Sequence, residues 1–258
     1  MILKIIFITL LIVLIWSAIV EPNIINVKTI EIKDKQLAGT KIVFASDLHI
    51  KPYEKYRLKR IIKKINEQNA DIILLGGDYV NGHRKGNSMT IQNIAKELSK
   101  LQSKYGTYAV IGNHDGWQGK EETITTLKTE GINVLMNEHK FAGKISIAGV
   151  DDMQTGKPDI KTALDGTKEP IILLSHTPDI FPDVPQNVNL TLAGHLHGGQ
   201  IKFPGIGALV LPSKFGKKYA EGLIIEKGKK IFVTLGLGCS TLPMRVMCPP
   251  EIITIKFI

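Results

Sequence analysis

Cysteine is scarce in this chain. Its 258 residues include two, Cys239 and Cys248, with no CxxC pair and no zinc-finger spacing. That excludes a structural zinc site built on thiolates. The pair is compatible with one disulfide or with two buried thiols. Low-complexity tracts are also missing. With 43% hydrophobic and 22% charged residues, the composition calls for a packed core and excludes a disordered chain. No repeat recurs at solenoid or propeller periods, and no Pro/Gly/Ser linker divides the body, so one domain is expected. There is no GxSxG elbow and no P-loop lysine motif. The formal net charge of +9 favours anionic partners such as phosphate groups or acidic lipid surfaces. Without a basic groove interleaved with aromatics, no nucleic-acid partner is expected.

Charge is missing from one long stretch. Ile2 to Val20 is almost continuously apolar, and Lys4 is its only charge. Its length is close to the ~20 residues a helix needs to cross a bilayer. It lacks the polar face of a core helix. No A-x-A cleavage site is present; Trp16, Ser17, Ala18 and Ile19 stand there instead, and no twin-arginine signal precedes the run. The expectation is a single-pass membrane protein, with an uncleaved anchor over residues 1–21 and a body over 22–258. Lys4 before the run and Lys28, Lys33 and Lys35 after it leave the membrane side of the body open.

The body begins as an alternation. Lys41 to Ala45, Asp71 to Leu75 and Thr107 to Ile111 are short apolar runs that predict buried strands. Between them, Leu58, Ile61, Ile62 and Ile65, then Ile91, Ile94, Leu98 and Leu101, recur with helical spacing. A weaker helical pattern covers Glu121 to Glu130. The second half is richer in strands: 145–149, 170–174, 188–192, 223–225, 231–234 and 252–257. Gly228 marks a hairpin turn between two of them.

Polar residues capable of chemistry follow these strands at once. KIVFAS leads into Asp47 and His49, DIILLGG into Asp78, and TYAVIG into Asn113, His114 and Asp115. PIILLS leads into His176, and VNLTLAG into His195 and His197. Ligands of parallel α/β sheets bind at the carboxyl ends of strands, so five strand ends aim at one rim. Asp, Asn and His suit hard or borderline divalent ions such as Mn²⁺, Zn²⁺, Fe²⁺ or Mg²⁺. About seven candidate ligands are too many for one tetrahedral ion and fit two ions that share a carboxylate. His83 and His139 lack this placement and are expected at the surface. Asp151-Asp152 fits a strand-ending turn or a substrate contact. Leu209 to Gly222 mixes apolar residues with lysines and fits a lipid contact, an acidic substrate or a solvated loop.

The ordered blocks DLH, GGD, GNHD, SHTPD and GHLHGGQ, which begin at Asp47, closely resemble the signatures of the calcineurin-like metallophosphoesterases. GHLHGGQ and the late stretch from Gly236 through Arg245 to Glu251 resemble the membrane-associated or exported bacterial phosphodiesterases among them. The resemblance implies an α/β fold, a four-layer α/β-β/α sandwich of two mixed sheets flanked by helices, behind an N-terminal transmembrane helix. It implies a hydrolase with a binuclear metal centre that cleaves phosphodiester, phosphomonoester or pyrophosphate bonds with a metal-bound hydroxide. Asp47, His49, Asp78 and His197 would hold one divalent ion. Asp78, Asn113, His176 and His195 would hold the other. His114 would be catalytic at the leaving group, with Asp115 orienting it. Arg245 is open to an anionic substrate group or a structural salt bridge. Some relatives hydrolyse UDP-2,3-diacylglucosamine in lipid A synthesis, so a phospholipid-like or nucleotide-sugar lipid is an expected substrate. The alternative is a membrane-tethered, metal-containing binding module without turnover.

Overall fold

The computed structural model describes residues 1–258. The apolar N-terminal run forms helix α1 (Ile2–Ile15), continued by a π-helical stretch over Trp16–Val20 and a short 3₁₀ turn over Glu21–Asn23. Nothing in α1 is buried against the rest of the chain. Burial begins at Ser17, Glu21 and Pro22.

Two six-stranded mixed sheets make the body. The first contains β1 (Asn26–Ile32), β2 (Lys41–Ala45), β3 (Ile72–Leu75), β4 (Thr107–Ala109), β5 (Asn133–Val134) and, from the far end of the chain, β14 (Glu251–Phe257). Their order is β1-β14-β2-β3-β4-β5. Strands β2 to β5 run parallel, and β14 enters antiparallel to β2. The second contains β6 (Glu138–Ala142), β7 (Ile145–Gly149), β8 (Ile171–Leu174), β9 (Leu190–Ala193), β12 (Gly222–Glu226) and β13 (Lys229–Val233), ordered β12-β13-β9-β8-β7-β6. A small ribbon of β10 (Lys202–Phe203) and β11 (Gly207–Ala208) stands apart.

Strand residues alternate between two apolar layers, which is why these runs are apolar at every position. Ile42 and Phe44 of β2 point into the cluster between the sheets, with Ile172 and Leu174 of β8 and Leu190 and Leu192 of β9. Val43 and Ala45 point the other way, against α2 (Lys55–Asn66) and α3 (Ile91–Leu98) through Leu58, Ile61 and Ile94. A lighter outer layer covers the second sheet: α5 (Ile160–Leu164) and the 3₁₀ turn over Pro178–Asp183 pack on Ala148, Leu173 and Val233. The expected four-layer sandwich is therefore present. The hairpin at Gly228 is also as expected: Lys227 and Gly228 both have positive φ (50° and 82°), the geometry of a two-residue type I′ loop.

Several elements differ from the sequence reading. Strands β1 and β6 are not among the expected strands, because both lie at sheet edges and are only partly buried; nor are the short β5, β10, β11 and α5 among the expected elements. Helix α4 runs from Asn113 to Thr129 rather than starting near Glu121, and it breaks at Gly119 (φ 138°). Cys239 and Cys248 are both buried and free, so no disulfide forms.

Candidate metal centre

The strand ends converge as predicted, three from the first sheet and two from the second. Asp47 follows β2, Asp78 follows β3, and Asn113 opens α4 just beyond β4. His176 follows β8, and His195 and His197 follow β9. All seven candidate ligands are buried. Asp47, His49, Asp78, His195 and His197 have φ between 43° and 69°, a left-handed backbone that is uncommon outside glycine and turns each side chain sharply off its strand.

Asp78 sits in the middle. Its Oδ2 lies 3.3 Å from His176 Nε2 and 3.5 Å from His49 Nε2. Its Oδ1 accepts the His114 backbone N–H at 2.8 Å. On one side, His49 Nε2 and His197 Nε2 approach to 3.1 Å, and His197 Nε2 lies 3.6 Å from Asp47 Oδ1. On the other side, His176 Nε2 stands 3.1 Å from His195 Nδ1 and 3.0 Å from Asn113 Oδ1. His176 Nδ1 donates to the Gly76 carbonyl at 2.8 Å, which directs its Nε2 inward.

This geometry fits metal binding. Two pairs of ring nitrogens face each other at 3.1 Å, and converging lone pairs need a cation or a shared proton between them. The donor atoms form three overlapping groups: Asp47, His49 and His197; His49, Asp78 and His114; Asp78, His176 and His195. Oxygen and imidazole donors without thiolate match divalent ions. Burial pushes the imidazoles of His49 and His195 down to about 3, and burial also holds His197 well below the usual range. Those rings are neutral at physiological pH, the form that ligates. His176 is the exception. Burial lowers it, but the carboxylates of Asp78 and Asp47 outweigh burial and raise it to about 10.

Glycines make the convergence possible. A Cβ at Gly112 would overlap Asp78 Oδ1, and one at Gly194 would overlap Asp47 Oδ2. Asp47 in turn accepts the His195 backbone N–H at 2.9 Å, tying the two sheets together at the site.

Two expectations are corrected. Asp115 does not orient the His114 ring. It is fully buried, and its oxygens accept the backbone N–H groups of Asp78, Tyr79, Val80 and Gly112 at 2.7–3.2 Å. The Gly82 carbonyl, 2.9 Å from His114 Nδ1, holds that ring instead. Arg245 neither reaches the open face nor forms a salt bridge. It is fully buried and donates to the carbonyls of Gly238, Cys248 and Leu235 at 2.8–3.0 Å. Its Nη2 also stands 3.3 Å from His197 Nδ1, so it braces that ring from behind. The Asp151-Asp152 turn is local. Asp152 caps Gln154 and Thr155, and Asp151 pairs with Lys120 at 2.6 Å.

Several contributors had gone unnoticed. Trp117 lies one helical turn after His114, a spacing that puts both on one face. Its ring centroid is 4.8 Å from that of His114 and stacks on His83 at 4.4 Å. The Gln154 amide lies 3.1 Å from His195 Nε2. Two cavities open beside the centre. One, of about 600 Å³, is polar and includes His83, Arg84 and His114. The other, of about 560 Å³, begins at His195 and His197 and runs along Phe203, Leu209, Val210 and Leu242. Ser240 and Thr241 line both.

Residues 40–199 match the family model of the calcineurin-like phosphoesterases. The chain is 34% identical over 256 residues to the metallophosphoesterase YkuE of Bacillus subtilis, covering 92% of this chain and 87% of that one. It is 32% identical over 232 residues to the phosphodiesterase YaeI of Escherichia coli, covering 86% and 83%. A Danio rerio transmembrane protein with a metallophosphoesterase domain is 28% identical over 261 residues, covering 93% of this chain and 58% of that one. With all seven candidate ligands, from Asp47 to His197, inside the matched span, the chain belongs to the calcineurin-like phosphoesterases and is a phosphoric ester hydrolase.

Proposed function

We propose that this enzyme hydrolyses a phosphodiester or pyrophosphate bond in an amphiphilic envelope or membrane substrate. The supporting observation is the pair of cavities that meet at the centre, one polar and one apolar, with Ser240 and Thr241 as a common wall. A substrate with a polar head on one side of the phosphorus and an acyl portion on the other fits that division. UDP-2,3-diacylglucosamine has this form, and the relative YaeI, named as a phosphodiesterase, supports a diester here. The apolar segment of residues 1–21 would hold the domain of residues 22–258 at the membrane where such a substrate resides.

In this reading Asp47, His49 and His197 would hold one divalent ion, Asn113, His176 and His195 would hold a second, and Asp78 would serve both. When bound, such a pair supplies Lewis acidity toward the phosphoryl group and makes a nucleophile available at neutral pH. The chain's own residues do the rest. His114 donates Nδ1–H to the Gly82 carbonyl, so a proton on Nε2 is the one it can hand to the leaving oxygen. Trp117 and His83 restrict that ring to one orientation. The apolar walls exclude water from the acyl side, which strengthens polar contacts near the phosphorus.

The test uses the full-length chain in detergent, chelated and then reloaded with Mn²⁺, Zn²⁺ or Mg²⁺. Bis-p-nitrophenyl phosphate, p-nitrophenyl phosphate and UDP-2,3-diacylglucosamine are compared, alongside Asp78→Ala. Metal-restored cleavage that prefers the amphiphile and is abolished in Asp78→Ala supports the proposal. Preference for the monoester, or equal rates on all three compounds, refutes the substrate class.

A further inference from the structure

The body grips the N-terminal helix inside its apolar run. The backbone N–H of Arg245 donates to the Ser17 carbonyl at 2.8 Å, and that of Cys248 donates to Glu21 Oε1 at 2.6 Å. Glu21 also accepts the Trp16 indole N–H at 3.2 Å, and Arg57 donates to the Pro22 carbonyl at 3.5 Å. No flexible spacer separates helix and body.

This fixes the distance between the body and any bilayer the helix occupies. At 1.5 Å per residue, Ile2 to Val20 spans about 28 Å. A hydrocarbon core is about 30 Å thick, so the whole run is needed to cross it. Ser17 lies within the last ~5 Å of that run. The loop that holds Ser17 is therefore drawn against the membrane face.

That loop carries an apolar rim. Met247, between the two gripping residues Arg245 and Cys248, is exposed, as is Leu242. Val246 pairs with Ile201, and Gln200 donates to the Leu242 carbonyl, joining the loop to the β10–β11 ribbon. The ribbon and the residues after it expose Phe203, Ile206, Leu209 and Val210, the last two at 65% and 78%. These six exposed side chains sit on loops tied to the helix grip, and four of them line the cavity that begins at His195 and His197. An apolar surface of this kind marks an interaction site.

Resting on the membrane-anchored reading above, we propose that this rim is a second membrane contact: it dips into the acyl region of the bilayer and opens the apolar groove to lipid chains. The contact is separate from the anchor. It sets the orientation of the catalytic body, so that substrate enters sideways from the lipid instead of from bulk water. Insertion of the apolar tips would be sustained by burial of their surface, as for an interfacial helix.

The test places a single environment-sensitive nitrobenzoxadiazole label on the full-length chain, at I8C, V210C or F141C. Cys239 and Cys248 are buried, and unsubstituted protein treated in parallel gives the blank. Ile8 lies in the anchor helix, and Phe141 is half-exposed on β6, at the sheet edge opposite β12. The protein is reconstituted in vesicles of equal parts phosphatidylethanolamine and phosphatidylglycerol, with and without acyl-chain doxyl lipid. The expected result is quenching at positions 8 and 210 to a similar extent, with none at 141. Quenching at 8 but not at 210 overturns the rim contact and leaves the anchor standing. Absence of quenching at 8 overturns the anchor and the rim contact with it. A label at 210 that responds to protein concentration but not to doxyl lipid assigns the rim to a second copy of the chain and also overturns the proposal.

Discussion

Asp115 accepts the backbone N–H of Asp78 at 2.7 Å, so the residue at the middle of the metal centre is positioned by a carboxylate that never faces the substrate. The same carboxylate caps the start of α4 through Gly112 and collects Tyr79 and Val80. Each oxygen serves two N–H groups. Asp115→Asn would turn an NH₂ toward two of those donors. Since each unsatisfied buried donor costs roughly 1–3 kcal/mol, the variant should lose about 2 kcal/mol or more. Thermal unfolding and elemental analysis should show a lower Tm and reduced metal content together. Metal retained at wild-type stability would contradict the bracing role.

His114 should behave differently. Its Nε2 lies 4.0 Å from Asp78 Oδ2, farther than the rings of His176 and His49. His114→Gln should keep metal content and lower kcat by about 10²- to 10⁴-fold, the range for loss of a general acid. If metal is lost along with activity, His114 is a ligand instead.

Gly112→Ala adds one methyl group and should still disable the centre, because that Cβ overlaps Asp78 Oδ1. The expected readout is loss of metal and of turnover with secondary structure preserved by circular dichroism. Full activity would mean that Asp78 has room to move.

The grip on the helix predicts an effect far from the chemistry. Glu21→Ala leaves the Cys248 N–H and the Trp16 indole without their acceptor. A cost of about 1–3 kcal/mol follows, seen as a Tm lower by several degrees in detergent. Glu21→Gln, which keeps one carbonyl oxygen, should recover part of that loss.

Much of this architecture was legible in the sequence because its strands are buried on both faces. Runs such as KIVFA and DIILL signal strands without needing alternation, and the Asp or His after each one marks the rim. Edge strands carry no such signal. The β1 sequence NVKTIEI is mostly exposed, and its partner lies more than two hundred residues away, so nothing local marks it. The roles of Asp115 and Arg245 were hidden for a related reason. A charged residue beside a metal motif looks chemical until its hydrogen-bond partners are known, and here they are backbone groups from other loops. Trp117 was recoverable in principle, three residues beyond His114 on a helix, but the helix was expected to start later.

The order β1-β14-β2 has a consequence for biosynthesis. Strand β1, which directly follows the N-terminal helix, touches its sheet only through β14, more than two hundred residues later in the sequence. The gripping residues Arg245 and Cys248 also follow their partners Ser17 and Glu21 by more than two hundred residues. While the ribosome is still at work, the helix and β1 are therefore tethered to an unfinished sheet, and the long-range pairing that joins them closes late. A chain truncated shortly before Glu251 would carry every candidate ligand yet lack the strand that joins β1 to the sheet. Docking of the body onto its N-terminal helix thus waits on residues made more than two hundred positions later.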